Sequence, residues 1–207
     1  LARENTGVLT GKGRGWGGSL IRPEATGFGN VYFAKEMLKT KGESFEGKTV
    51  CVSGFGNVAW GATKKVSQLG GKVVTLSGPD GYIYDPDGIS GEKIDYMLEL
   101  RASNNDVVQP YALEFGVEFH KGKRPWNVPC DIALPCATQN ELDGNDAEAL
   151  IKNGCICVSE GANMPSTPEA VEVFHRSKIL YGPGKAANAG GISVSGLEMT
   201  QNSMKLN

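Results

Sequence analysis

The sequence predicts an α/β domain, doubly wound around a mostly parallel sheet, and three observations carry that expectation. Short β-branched or apolar runs alternate with segments of helical periodicity along most of the 207 residues. The connections are short, which for parallel strands implies right-handed crossovers and helices on both sheet faces. Glycine is abundant, 29 residues where the usual share of about 7% would give half as many, and it sits at the turns between apolar runs.

In chain order, Arg22-Pro23-Glu24-Ala25-Thr26-Gly27 opens a helix whose periodic part runs over 31–41, and the first strand follows at 48–53 (KTVCVS). Gly54-Phe55-Gly56 makes the turn into a helix over 57–69, where Val58, Ala62, Val66 and Leu69 recur on one face. Gly70-Gly71 stops that helix, and 72–77 (KVVTLS) is the second strand, closing a β-α-β unit. Residues 82–88 read as a small excursion, and 92–101 and 107–115 as two helices. The alternation resumes with strands at 117–119 and 131–134, a helix at 145–153, a strand at 155–158, a helix at 167–175, a short strand at 179–180 and a closing helix at 190–204. The glycine-rich opening, residues 1–20, reads as a connecting segment, leaving 21–207 as the domain.

Hydrophobic residues at 40%, charged residues at 21% and a net charge of -2 describe a soluble globular chain. No apolar run approaches the roughly 18 residues of a membrane span, and no Lys/Arg stripe offers a footprint for nucleic acid, so neither partner is expected. No secretory leader is visible, and a cytoplasmic site is the expectation. The five cysteines are odd in number and lie in or beside apolar runs, which suits reduced thiols. Cys155-Ile156-Cys157 has the wrong spacing for a redox or zinc knuckle, and with two histidines in the chain no metal site is expected.

Two glycine motifs need opposite treatment. Gly42-Glu-Ser-Phe-Glu-Gly47-Lys48-Thr49 matches the phosphate-loop pattern letter for letter, but a phosphate loop must leave a strand and open a helix, whose N-terminus holds the phosphates. Here a helix precedes and a strand follows. Gly54-Phe55-Gly56-Asn57-Val58-Ala59 fits the G-x-G-x-x-[GA] fingerprint in the correct strand-turn-helix setting. Gly54 permits the tight turn, Gly56 lets backbone approach a pyrophosphate, and Ala59 lets helix and strand pack closely, which predicts a Rossmann-type dinucleotide-binding domain.

The adenosine ribose should meet the tip of the second strand, Leu76-Ser77-Gly78-Pro79-Asp80. The strand end carries no acid, so the usual 2'-hydroxyl acceptor is displaced to Asp80 or absent. No Lys or Arg in that stretch neutralises a 2'-phosphate either, which favours NAD over NADP unless a cation arrives from elsewhere in the fold. Ser77 could hydrogen-bond either cofactor.

Four further motifs lie at strand C-terminal ends or helix starts, the edge where open α/β sheets bind ligands. They are Arg22 to Gly27 above, Cys136-Ala137-Thr138-Gln139-Asn140, Gly161-Ala162-Asn163-Met164-Pro165, and Gly184-Lys185-Ala186-Ala187-Asn188-Ala189-Gly190-Gly191. In this order around G-F-G-N-V-A, the set resembles the cofactor-binding domain of the hexameric glutamate dehydrogenases, within the amino-acid dehydrogenase family. The resemblance implies that Thr26 and Asn188 hold the nicotinamide carboxamide and that Asn163 contacts the nicotinamide ribose. It implies that Ala137, Thr138 and Asn140 line the cofactor path, while Asn57 and Val58 offer backbone donors to the pyrophosphate. Ser195 is similar to the family position facing the substrate side chain, where a hydroxyl suits a γ-carboxylate. Asn163 and Asn188 could instead satisfy turn backbone, and Ser195 could be a plain helix-surface hydroxyl. Lys185 reads as a surface cation and Trp60 as helix packing.

Oxidising an amino acid also needs a general base and cations for the substrate carboxylates. In the family these come from lysines in glycine-rich turns and an aspartate of an N-terminal substrate domain that nothing here resembles. No catalytic residue is therefore expected in this chain, which reads as a piece of a longer enzyme, able to bind dinucleotide but inactive on glutamate alone. By resemblance the complete protein would interconvert L-glutamate and 2-oxoglutarate with ammonia, as a homohexamer. A leucine, valine or phenylalanine dehydrogenase, or a non-catalytic nucleotide-sensing module, would use the same crevice.

Overall fold

The computed structural model describes residues 9–10, 18, 22–103 and 107–204. The predicted connecting segment, residues 1–20, lies outside the described residues apart from three positions. Among the described residues the elements run α1 (Arg22–Lys39), β1 (Thr49–Val52), α2 (Asn57–Gln68), β2 (Lys72–Gly78), β3 (Gly81–Tyr84), α3 (Glu92–Ala102), α4 (Gln109–Phe115), β4 (Glu118–Lys121), β5 (Ile132–Leu134), α5 (Gly144–Lys152), β6 (Cys157–Ser159), α6 (Pro168–Ser177), β7 (Leu180–Gly182), α7 (Gly184–Ala187) and α8 (Gly190–Ser203).

The strands form one seven-stranded sheet in the order β4-β3-β2-β1-β5-β6-β7. β2, β1, β5, β6 and β7 are mutually parallel, as the alternation predicted. The short excursion after β2 is a strand in its own right: β3 pairs antiparallel with β2, and β4 pairs antiparallel with β3. Four residues of Gly-Tyr-Ile-Tyr between two turns are too short for periodicity to announce a strand, and what makes them one is pairing with β4, some 35 residues away in sequence. The strand expected at 117–119 is this edge strand.

Side-chain alternation assigns each strand residue to one of two cores. Val50, Val52, Ile132 and Leu134 face the layer built from α1, α2, α3 and α4, while Cys51, Ala133 and Val158 face the layer of α5, α6 and the turn Pro125–Asn127 that carries Trp126. All five cysteines are free and buried, each in or within two residues of the strands β1, β5 and β6. The phosphate-loop look-alike is the α1–β1 connection, with Gly42 and Gly47 at φ +70° and +71° reversing the chain from helix to strand, the opposite of what nucleotide binding needs.

Three details of packing set the site. α1 and α2 meet backbone to backbone where Gly27 faces the amide of Ala62 and the carbonyl of Val58, and Gly29 meets Gly190 of α8 in the same way. α6 begins at Thr167, whose hydroxyl accepts from the Ala170 N–H, and α5 begins with a reciprocal Asp143–Asp146 capping box. The end of β3 is anchored by Asp85, fully buried, which pairs with Lys93 at 2.7 Å and accepts from the Tyr111 hydroxyl at 2.9 Å, tying α3 and α4 to the sheet.

Candidate functional site

β1 lies between β2, whose helix crossover runs one way, and β5, from which the chain winds the other way, so the topological switch point falls between β1 and β5. The C-terminal ends of β1, β5, β6 and β7 all open onto that edge, and a crevice in two halves lies there. One half, about 520 Å³, is lined by Thr26, Val58, Ala137, Thr138, Asn163 and Asn188 among others. The other, about 430 Å³, is lined by Gly54, Gly56, Ser77, Gly78 and Pro79 on one wall and by Lys123, Arg124 and Glu141 on the opposite one. Cys136, Ala137 and Thr138 belong to both, so the loop after β5 is the sill across which one elongated ligand would lie.

The fingerprint turn has the geometry its residues predict. Gly54 sits at φ +82°, and a Cβ there would come within 3.0 Å of the Cys136 carbonyl, so only glycine allows β1 and β5 to turn side by side. Its N–H donates to the Ser77 hydroxyl at 2.8 Å, locking the turn to the tip of β2. Ser77 is thereby committed as an acceptor to the protein, with its own proton left to give. Gly56 is the N-cap of α2 and provides no side-chain cap, and the nearest atom to a Cβ placed on it is the Arg101 guanidinium at 3.9 Å. The first amides of a 12-residue helix therefore open on an unfilled approach, the arrangement that holds a pyrophosphate. The residues present fit a dinucleotide.

Sequence reasoning did not anticipate Arg101, which arrives from the last turn of α3 and donates to the Asn57 side chain at the mouth of that helix. Asn57 thus meets a cation with its amide oxygen. Thr26, on α1, and Asn188, the C-cap of α7, stand in the first half of the crevice. The Asn188 amide donates to Asn163 Oδ1 at 2.7 Å, so the two asparagines hold each other across the β6 and β7 loops.

Two further candidate residues are not among the lining of either half. Asn140 has its backbone at φ +55°, its N–H donating to the Met164 carbonyl at 3.0 Å, and it lines an adjoining cavity with Glu160 and Lys185 that shares Asn163 with the crevice. Ser195 lies on α8 one turn past Gly191, partly exposed and outside the lining of the crevice. Trp60 packs in the core, as its helical position predicted, and Lys185 is exposed on α7.

Asp80, the displaced acid of the strand tip, has a structural occupation. Its carboxylate accepts from the N–H groups of Val108 and Gln109 at 3.0 to 3.1 Å, capping α4 from outside its own segment. It is thereby committed to that helix. Glu141, a further residue the sequence did not flag, is buried in the lining of the second half. Its carboxyl accepts from the Ser53 hydroxyl at 2.8 Å and from the Ala137 N–H at 3.0 Å, and the Ser53 oxygen also accepts from the Cys136 N–H at 2.9 Å. Burial pushes Glu141 up to about 7 against the pull of these hydrogen bonds and of nearby Arg124.

In the other half Cys136 is the one titratable group among the lining residues, and burial pushes its thiol up, so no thiolate forms there. Nothing in that lining can act as a general base at neutral pH. This half can bind and orient a planar ring, but none of its described lining residues is placed to transfer a proton.

Comparison with known proteins agrees with this geometry. Residues 17–207 match the family described as Glutamate/Leucine/Phenylalanine/Valine dehydrogenase. The chain is 67% identical over its whole length to an NAD-specific glutamate dehydrogenase of Bacteroides fragilis and 57% identical to an NAD(P)-specific glutamate dehydrogenase of Xylanibacter ruminicola, spanning 46% of the length of each. A solved glutamate dehydrogenase structure superimposes on 97% of the chain with a TM-score of 0.94 at 54% identity, and the chain covers 45% of it.

Proposed function

The chain belongs to the glutamate/leucine/phenylalanine/valine dehydrogenase family, and from that premise we propose that it is the cofactor-binding domain, residues 21–207, of an NAD(P)-dependent glutamate dehydrogenase. The observation that carries this reading is the continuous crevice at the β1–β5 switch point, with the uncapped N-terminus of α2 at its centre. The complete enzyme would oxidise L-glutamate reversibly to 2-oxoglutarate and ammonia, in the cytoplasm and as a homohexamer. The nicotinamide dinucleotide, when bound, supplies the hydride acceptor. The leucine, valine and phenylalanine dehydrogenase alternative draws on the same crevice, and Ser195, at a position where apolar substrates call for an apolar lining, favours glutamate.

In this reading the protein's own groups do three things. The α2 amides at Asn57 and Val58, with Gly56 giving close approach and Arg101 adding positive charge, take the pyrophosphate. Thr26, Asn163 and Asn188 orient the nicotinamide end, while Ala137 and Thr138 on the sill keep the chain of the ligand extended. Ser77 gives its remaining proton to the adenosine ribose, and NAD is the favoured form because the strand tip itself carries no cation. The base and the cations for substrate would come from the part of the enzyme outside this chain.

A calorimetric titration of the chain with NADH and NADPH at one salt concentration tests the reading: NADH should bind, and heat from neither nucleotide would sink it. Glutamate-dependent NAD(P)H formation is expected from the full-length protein and not from the chain alone. Arg101→Gln should weaken both nucleotides alike, by about five-fold, because its charge faces the pyrophosphate they share. An effect confined to one nucleotide would remove Arg101 from that role.

A further inference from the structure

The antiparallel excursion β3–β4 has a consequence at the adenosine end of the crevice, which rests on the dinucleotide reading above. β3 reverses the direction of β2 and β4 reverses it again, so β4 ends at the same sheet edge as β2. Lys121 pairs in register with Gly81, and the Gly122 N–H donates to the Asp80 carbonyl at 2.8 Å, which pins residues 121–124 beside the tip Ser77-Gly78-Pro79. Lys123 and Arg124 line the same 430 Å³ space as that tip and the fingerprint glycines.

These two cations are not equivalent. Arg124 donates to the Glu141 carbonyl and pairs with Asp143 and Asp146 at 3.4 Å each, so its guanidinium is spent on holding the start of α5. Lys123 is exposed and makes no ion pair among the described residues. The acid that would repel a phosphate at this place, Asp80, is engaged with the α4 amides. A flexible ammonium facing a pocket whose two nearby acids are engaged elsewhere, Asp80 with the α4 amides and Glu141 with Ser53 and the Ala137 amide, is suited to a phosphate as a point charge.

We propose that Lys123 is a specificity-determining residue that meets the 2'-phosphate of NADPH, so that the crevice accepts NADPH as well as NADH and Lys123 sets the ratio between them. Sequence distance concealed it: more than 40 residues separate it from Ser77, and a register of two antiparallel strand pairs closes the gap. Its contribution is electrostatic and exposed, so it weakens with salt within the screening length of about 8 Å at physiological ionic strength.

The test is a side-by-side titration of NADH and NADPH against the full-length protein and its Lys123→Gln variant, at low and at high salt, with a thermal melt as the folding control. The expected result is loss of NADPH affinity by about ten-fold with NADH changed less than about two-fold, a larger loss in Lys123→Glu, and a smaller difference at high salt. Adenosine 2',5'-bisphosphate should lose affinity in the variant while AMP does not. Equal losses for both nucleotides, no loss for either, or a wild-type protein that binds NADH and not NADPH would each overturn the proposal and leave the dinucleotide reading standing. Binding of neither nucleotide by the wild-type protein would overturn that reading, and this inference with it.

Discussion

Replacing Gly27 by alanine is expected to cost about 3 kcal/mol of folding stability, the upper part of the usual range for overpacking, and to weaken NADH binding by ten-fold or more. A Cβ at Gly27 would lie 2.4 Å from both the Ala62 amide nitrogen and the Val58 carbonyl oxygen, and 2.8 Å from the Gly61 carbonyl carbon. These are backbone atoms inside α2, so no rotamer change can relieve the overlap, and the two helices must separate. Thr26 rides next to Gly27 on α1, and Val58 stands in the first turn of α2, so separation moves two lining residues of the crevice against each other. Urea titration and calorimetry on the same sample would measure both effects. Gly196→Ala is the control: a Cβ there meets nothing within 4 Å, and alanine in the body of α8 should stabilise by up to about 1 kcal/mol. Equal stability of wild type and Gly27→Ala would show that the α1–α2 seam is not tight.

How much of this was legible in the sequence differs by kind of feature. The fingerprint, the parallel strands and the gathering of Thr26, Val58, Ala137, Thr138, Asn163 and Asn188 at one edge follow from local patterning. Period and turn chemistry say where a strand ends, and in a doubly wound sheet strand ends converge. Features that depend on pairing between distant segments were not legible. β3 is four residues long and its partner β4 is remote, so Lys123 could not be placed beside Ser77. Asp80 looked like a misplaced ribose acceptor because nothing local shows that its carboxylate caps a helix beginning at Gln109. Asn140 is a candidate through its motif alone, and nothing local shows its left-handed backbone or its place on a cavity that adjoins the crevice through Asn163. Glu141 next to it was passed over because a charged residue in a polar loop reads as exposed, and only the folded loop shows it to be buried on Ser53.

That burial makes Glu141 the second site where a large effect is expected. Its carboxyl takes up a proton more readily in the folded chain, at about 7, than at its ordinary 4.5. Between those values the folded state binds the extra proton, so stability from this group is full below about 4.5 and is lost as pH rises through 7. The shift corresponds to about 3 kcal/mol across the whole interval. Glu141→Gln has no proton to lose, so the stability difference between variant and wild type should move in the variant's favour by about that amount between pH 5 and pH 8.5. Parallel pH curves for the two proteins would show that Glu141 does not titrate in this range. The groups facing the carboxyl are the Ser53 hydroxyl, the Ala137 and Thr138 amides, the buried Cys136 thiol and the Arg124 cation. Ionisation of Glu141 therefore places a negative charge on the floor of the adenosine half, opposite the fingerprint glycines. A 2'-phosphate there would feel that charge more than a 2'-hydroxyl would. The NADPH to NADH affinity ratio should consequently fall as pH rises through 7 in the wild type and stay flat in Glu141→Gln, and a ratio that falls equally in both would assign the effect to another group.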